Sequence, residues 1–154
     1  MIERQLEQLV QAYAAAKDAH DPDAALAFCH DDCFYESVPL GQRVQGKENL
    51  KLFYEALFQA FPDYQAAFDG LASGENSIVV WGIFRGTMCG PCLGIPPTGR
   101  SFEVPVVFVV TFRDGLIASD RGFFDLATLC EQLGIPLQDV RRAALPLPAA
   151  SPLA

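Results

Sequence analysis

At 154 residues and 51% hydrophobic side chains, the chain has the size of one domain, with apolar surface beyond what an ordinary core needs. Its formal net charge of −8, with no basic cluster longer than Arg141-Arg142, makes nucleic acid and anionic membranes poor partners. Glu3, Arg4 and Glu7 rule out a signal peptide, no apolar run reaches membrane-spanning length, and an odd cysteine count of 5 points to reduced thiols in a cytoplasm.

Ile2, Leu6, Leu9, Val10 and Tyr13 recur at helical spacing and predict a helix over residues 2–18. Asp21 can cap and Pro22 fits a first helical position, so a short second helix is expected over Ala24 to Cys29, ended by Asp31-Asp32. Cys33 to Val38 reads as a strand closed by Pro39 and Gly41. A third helix is expected over Lys47 to Ala60, with Leu50, Phe53, Tyr54, Leu57, Phe58 and Phe61 as its apolar stripe and Pro62 as its stop. Beyond Pro62 the period becomes extended. Tyr64 to Ala72 and Ser77 to Thr87, which contains Trp81, predict two strands around a turn at residues 73–76.

Residues 93–125 carry the plainest hairpin signal, two apolar runs joined at Asp114-Gly115. Val104 to Phe112 is nearly unbroken apolar, so both faces of that strand are expected to be covered, one by helices and the other by a partner subunit, a cavity or both. Leu126 to Leu133 predicts a short helix stopped by Gly134 and Pro136. The stretch from Ala143 onward is apolar but proline-rich, which sets a domain over residues 1–142 and a tail over 143–154. Helices first and a mostly antiparallel sheet after give an α+β fold, with a curved mixed sheet wrapped around the helices as a cone holding an internal apolar pocket.

Three segments carry a resemblance to a known family: Leu9 to Asp32, the Gly94-Ile95-Pro96-Pro97-Thr98-Gly99-Arg100 turn after Gly86-Thr87, and Phe112 to Gly134 with its Arg-Asp-Gly, Phe-Phe-Asp and Gln-Leu-Gly. Over roughly residues 5 to 135 the chain resembles the SnoaL-like polyketide cyclases of the nuclear-transport-factor-2-like superfamily. It is also similar to ketosteroid isomerases and limonene-epoxide-hydrolase-type enzymes. The scaffold hosts isomerases, cyclases, hydrolases and binders, so the resemblance implies the fold more than the activity. Cyclases and epoxide hydrolases of this kind carry an acid/base Asp after an Arg on the last strand. Here that place reads Arg121-Gly122-Phe123. The assisting position on the strand before matches Phe108, and the isomerase's shuttling carboxylate falls near Ser37, with Glu36 adjacent. Tyr13 alone survives of the isomerase set. Gly122 is expected to enlarge the cavity where the carboxylate would stand.

The candidate catalytic residues are therefore Asp120, Tyr13 and Glu36. Asp120 shares the face of Gly122 at two-residue spacing and reads as a displaced acid/base or as a rim carboxylate. Tyr13 reads as a donor to a ligand oxygen or as a core tyrosine. Glu36 reads as a base or as a solvated carboxylate at the cavity mouth. Tyr54, Trp81, Phe108, Gly122 and Phe124 are the expected ligand contacts, while Asp125 reads as the cap of the last helix. Cys89-Gly90-Pro91-Cys92 spells a dithiol motif without the helix that would activate it. A structural zinc site would need two ligands beyond Cys89 and Cys92, and Cys29, His30 and Cys33 are the only cluster that could supply them. His20 is expected to be exposed and His30 to end the second helix. The combined expectation is a homodimer through the sheet that binds an apolar, ring-containing or polyketide-like molecule, as a cofactor-free cyclase or isomerase or as a non-catalytic binder.

Overall fold

The computed structural model describes residues 2–144. Helix α1 spans Ile2–Asp18 and buries Leu6, Val10, Tyr13 and Lys17, a single stripe at spacings of three and four. Helix α2, Pro22–Leu26, is capped by the Asp21 carboxylate, which accepts from the Ala24 N–H at 3.0 Å. Strands β1 (Cys29–Ser37) and β2 (Gln42–Gln45) precede helix α3 (Lys47–Ala60). Strands β3 (Gln65–Gly74), β4 (Ser77–Thr87), β5 (Ser101–Arg113) and β6 (Leu116–Phe124) follow, and then helices α4 (Leu126–Leu133) and α5 (Leu137–Ala144).

The six strands form one open sheet in the order β2-β1-β6-β5-β4-β3. Every pairing is antiparallel except β1 with β6. The β5–β6 hairpin closes at Asp114 and Gly115, whose φ angles of 54° and 77° are those of a turn matched to the right-handed twist of paired strands. The inner face carries Ile78, Val80, Phe84, Phe102, Val104, Val106, Phe108, Val110 and Ile117, all buried beneath the helices. Each such side chain contributes about 1.5–3 kcal/mol of burial. This is the α+β architecture expected, with helices on the concave side.

Five local readings are corrected. The second helix stops at Leu26, and Cys29 to Asp32 are already strand, so His30 lies in β1 with its Nε2 against the Arg113 carbonyl. Pairing with β6, from Cys29 opposite Ile117, overrides the local pattern. Residues 42–45 form a strand that their single apolar residue does not announce. Helix α4 stops at Leu133 as expected, but Pro136 then leads into α5, a helix that was not anticipated, its carbonyl accepting from the Asp139 and Val140 N–H groups. His20 is half-buried, stacked on Phe58 with ring centroids 4.4 Å apart, and its Nε2 meets the Tyr64 carbonyl at 3.0 Å. Val104 to Phe112 does alternate in burial, with Val107 and Val109 half-exposed on the outer face. The proline-rich stretch after Ala144 lies outside the described residues.

Candidate functional site

The concave side holds two distinct environments. The first is a cavity of about 170 Å³ between β1, β2 and the inner sheet on one side and α3, α4, α5 and the 88–100 loop on the other. Aromatic rings dominate its walls: Tyr35, Phe53, Phe61, Tyr64, Phe84, Phe102, Phe108 and Phe124. Aliphatic side chains, among them Leu57, Met88, Leu129, Leu133 and Val140, fill most of the remainder. Among the described residues, the polar side chains that contribute are Ser37, Gln42, Tyr35, Tyr64, Cys92 and Cys130, and no carboxylate, ammonium, guanidinium or imidazole belongs to this wall. Burial pushes both thiols up, which keeps them neutral and compatible with apolar neighbours.

The loop that closes one side is well defined. The Cys89 and Gly90 N–H groups donate to the Ala60 carbonyl at the end of α3. Cys92 and Ile95 then pair across a tight turn whose tip residues, Leu93 and Gly94, have φ of 52° and 73°. This conformation turns Leu93 and Ile95 into the cavity wall. Cys89 is exposed and no helix follows Cys92, so the dithiol motif lacks the setting that lowers a thiol pKa.

The second environment is a buried polar cluster under α1. The Asp120 Oδ2 accepts from Tyr13 Oη at 2.8 Å and from Lys17 Nζ at 3.3 Å. Tyr13 Oη and Tyr54 Oη are 2.7 Å apart. Tyr13 has one proton, and it goes to Asp120, so Tyr54 donates to Tyr13. Lys17 and Asp120 are only 7% and 2% exposed. The ammonium also sits 4.4 Å from the Tyr13 ring centroid and 4.8 Å from that of Phe108. Burial first, and then the charge of Asp120, push the Tyr13 and Tyr54 phenols well above their usual range. Asp120 Oδ1 is buried without a hydrogen-bond partner among the described residues.

These positions redistribute the residues singled out by sequence. Asp120 and Tyr13 are brought together, with Tyr54, but none of the three lines the cavity; the Phe108 ring touches both environments. Phe108 and Phe124 do line it. Glu36 points to the outer side of the sheet and binds Arg121 Nε at 2.7 Å. Trp81 also lies on the outer face, 42% exposed, its ring over Gly70, and makes no part of the cavity. Gly122 does not enlarge the space: a Cβ there would stand 2.9 Å from Tyr35 Oη and 3.1 Å from Phe108 Cε1. The place expected to be vacant is packed by those two side chains. Cys29 and Cys33 are buried on β1, and the Cys29 thiol is raised by its hydrogen bond with Cys33 and by burial. No group of three His, Cys, Asp or Glu is arranged to hold a metal among the described residues.

Sequence reasoning missed Lys17, Tyr35 and Tyr64, and it named Ser37 only as a family position, not as a contact. Lys17 had a signal, since it continues the stripe of Leu6, Val10 and Tyr13 by one further step of four. A lysine in register with an apolar face needs a buried counter-charge. Ser37 was marked only as the place where the resemblance puts the isomerase's carboxylate; its lining of the cavity depends on what faces it across space.

An open mixed sheet with helices on its concave side and an apolar cavity beneath them defines a class of α+β folds. Within that class, the model of the SnoaL-like polyketide cyclases matches residues 7–133, and the chain belongs to that family. Solved structures agree. A protein of Jannaschia sp. CCS1 assigned to the SnoaL-like polyketide cyclases superposes with a TM-score of 0.78 at 26% identity, over 88% of this chain and 95% of that one. TsrD from Streptomyces laurentii gives a TM-score of 0.74 at 26% identity, over 86% and 97%. A ketosteroid-isomerase-like protein from Catenulispora acidiphila, in complex with trimethylamine, shares the fold at 19% identity with a TM-score of 0.73, over 84% and 95%. Among curated proteins, none matches the sequence. No described helix is long and apolar enough to cross a membrane.

Proposed function

We propose that the protein binds an apolar, ring-containing small molecule in the 170 Å³ cavity, and that binding rather than proton transfer is its main task. The observation that carries this reading is the wall itself, which is rich in aromatic rings and has no ionisable carboxylate or imidazole among its described residues. General acid/base chemistry needs such a group within hydrogen-bond reach of the substrate. Gly122 supplies none, and Asp120 is turned away into its bonds with Lys17 and Tyr13. Native mass spectrometry of the protein as purified tests the reading. The expected result is a fraction of chains carrying one small neutral molecule that denaturation releases. A bare protein that also takes up no single-ring probe would overturn it.

A second reading, a cofactor-free isomerase or cyclase, is favoured by one feature. The Tyr54–Tyr13–Asp120 chain with its unpartnered Oδ1 resembles a proton-handling relay. It requires the Phe108 ring to swing aside so that substrate meets Asp120. Under that reading Asp120→Asn and Tyr13→Phe each abolish turnover; an activity that survives both removes it. Glu36, held by Arg121 on the outer face, takes no part. We further infer that a second copy of the chain covers the outer sheet face, where Val79, Trp81, Ile83, Val107, Val109 and Phe123 lie with no described helix above them.

A further inference from the structure

Within the cavity one wall is chemically out of keeping with the rest. Ser37 is 6% exposed, and its Oγ finds no hydrogen-bond partner among the described residues. A buried hydroxyl in that state is destabilising unless something else satisfies it. Tyr35 sits two residues earlier on the same face of β1, and both residues line the cavity. Its ring packs on Phe53, with centroids 5.2 Å apart, which fixes where the hydroxyl ends. That end is marked by Gly122: a Cβ built there would be 2.9 Å from Tyr35 Oη. Gly122 is the register partner of Ser37 on the adjacent strand. The two hydroxyls therefore stand at the same level of the cavity, on strands about 4.8 Å apart, yet are not bonded to each other.

We propose that Ser37 and Tyr35 form a polar anchor for one neutral oxygen, a hydroxyl or carbonyl, on a ligand the size of a single substituted ring. The proposal rests on the cavity being a small-molecule site. Neutrality follows from the wall, whose described residues include no charged group to receive a carboxylate, phosphate or ammonium. Size follows from the volume. A dry cavity of about 150 Å³ lined by Leu, Ile and Phe accepts benzene, so 170 Å³ takes one ring with small substituents. A fused multi-ring molecule would need the Cys92–Ile95 turn or α5 to move outward. The anchor takes either oxygen type, because a serine or tyrosine hydroxyl both donates and accepts.

Three single-ring probes of matched shape separate the possibilities by titration calorimetry: p-cresol, p-xylene and 4-methylbenzoate. In a cavity without a polar anchor, p-xylene binds best, since the cresol hydroxyl would be desolvated for nothing. Here p-cresol is expected to bind about tenfold tighter than p-xylene, and 4-methylbenzoate weakest of the three. Ser37→Ala is expected to erase the cresol preference while leaving p-xylene affinity unchanged, and Tyr35→Phe to reduce it. The Ser37→Ala apoprotein should melt at the same or a higher temperature, because the variant removes an unsatisfied hydroxyl. Equal binding of cresol and xylene, tightest binding of the carboxylate, a preference that survives Ser37→Ala, or a lower melting temperature each overturns the anchor alone. Failure of all three probes to bind removes the pocket reading and the anchor with it.

Discussion

Lys17 and Asp120 place two charges where water barely reaches, their side chains only 9% and 3% exposed. Taking both from water costs several kcal/mol per ion, and their attraction offsets this only when further partners help. Those partners are present: Tyr13 donates to the same carboxylate oxygen, and two aromatic faces receive the ammonium. The pair is therefore sensitive to losing one member and tolerant of losing both. Lys17→Met is expected to destabilise by about 3 kcal/mol, because it strands a buried carboxylate. Lys17→Met combined with Asp120→Leu is expected to recover most of that loss. Urea denaturation of the two variants decides it. A double variant no more stable than the single one would mean that the pair contributes net stability.

The cavity's far wall depends on how α4 begins. Asp125 accepts from the Thr128 N–H at 3.0 Å and from its hydroxyl at 2.7 Å, and Gly134 with φ of 73° ends the helix. Bonding to Thr128 holds the Asp125 carboxyl below its usual range. A depressed folded-state pKa adds stability above the unfolded value, near 3.9, and that stability is lost as pH falls through the folded value. Asp18 works in the opposite sense, since burial raises its carboxyl and favours the protonated form. Asp125→Ala is expected to lower Tm at neutral pH and to lose less Tm than wild type between about pH 5 and pH 3. Melts at the two pH values check this. The cap was legible from Asp125 preceding an apolar run, as were α1, α3 and the hairpins, whose periods and turn residues are local. The edge strand β2 was not, because Gln42 to Gln45 extend only by pairing with Phe34 to Ser37. Helix α5 was hidden by Pro136, which can begin a helix as readily as end one.

At the scale of the whole molecule, the polar cluster and the cavity share one concave side, and only their separation in space tells them apart. Sequence could place Asp120 and Gly122 on a common face by parity. It could not show that Lys17 claims the first, or that Tyr35 occupies the room beside the second. Trp81 was misleading for the related reason that an aromatic residue on an apolar strand reads alike on either face. Its actual face is the outer one, where Val107 opposes it on β5 and Phe123 opposes Val107 on β6. The ion pairs of Glu36 with Arg121 and Arg113 with Asp32 lie toward the β1 side, where Arg121 borders the patch opposite Val109 with its guanidinium 5.4 Å from the Phe123 ring centroid. A β-rich patch of that kind, with no described helix to cover it, is what a self-complementary interface of about 800 Å² per subunit requires. The wild-type chain is therefore expected to sediment as a dimer, and Trp81→Glu with Ile83→Glu as a folded monomer. Because neither residue touches the cavity, the monomeric variant should keep its affinity for p-cresol. A wild-type chain that sediments as a monomer would refute the interface. A monomeric variant that loses ligand binding would instead show that the second copy supports the pocket wall.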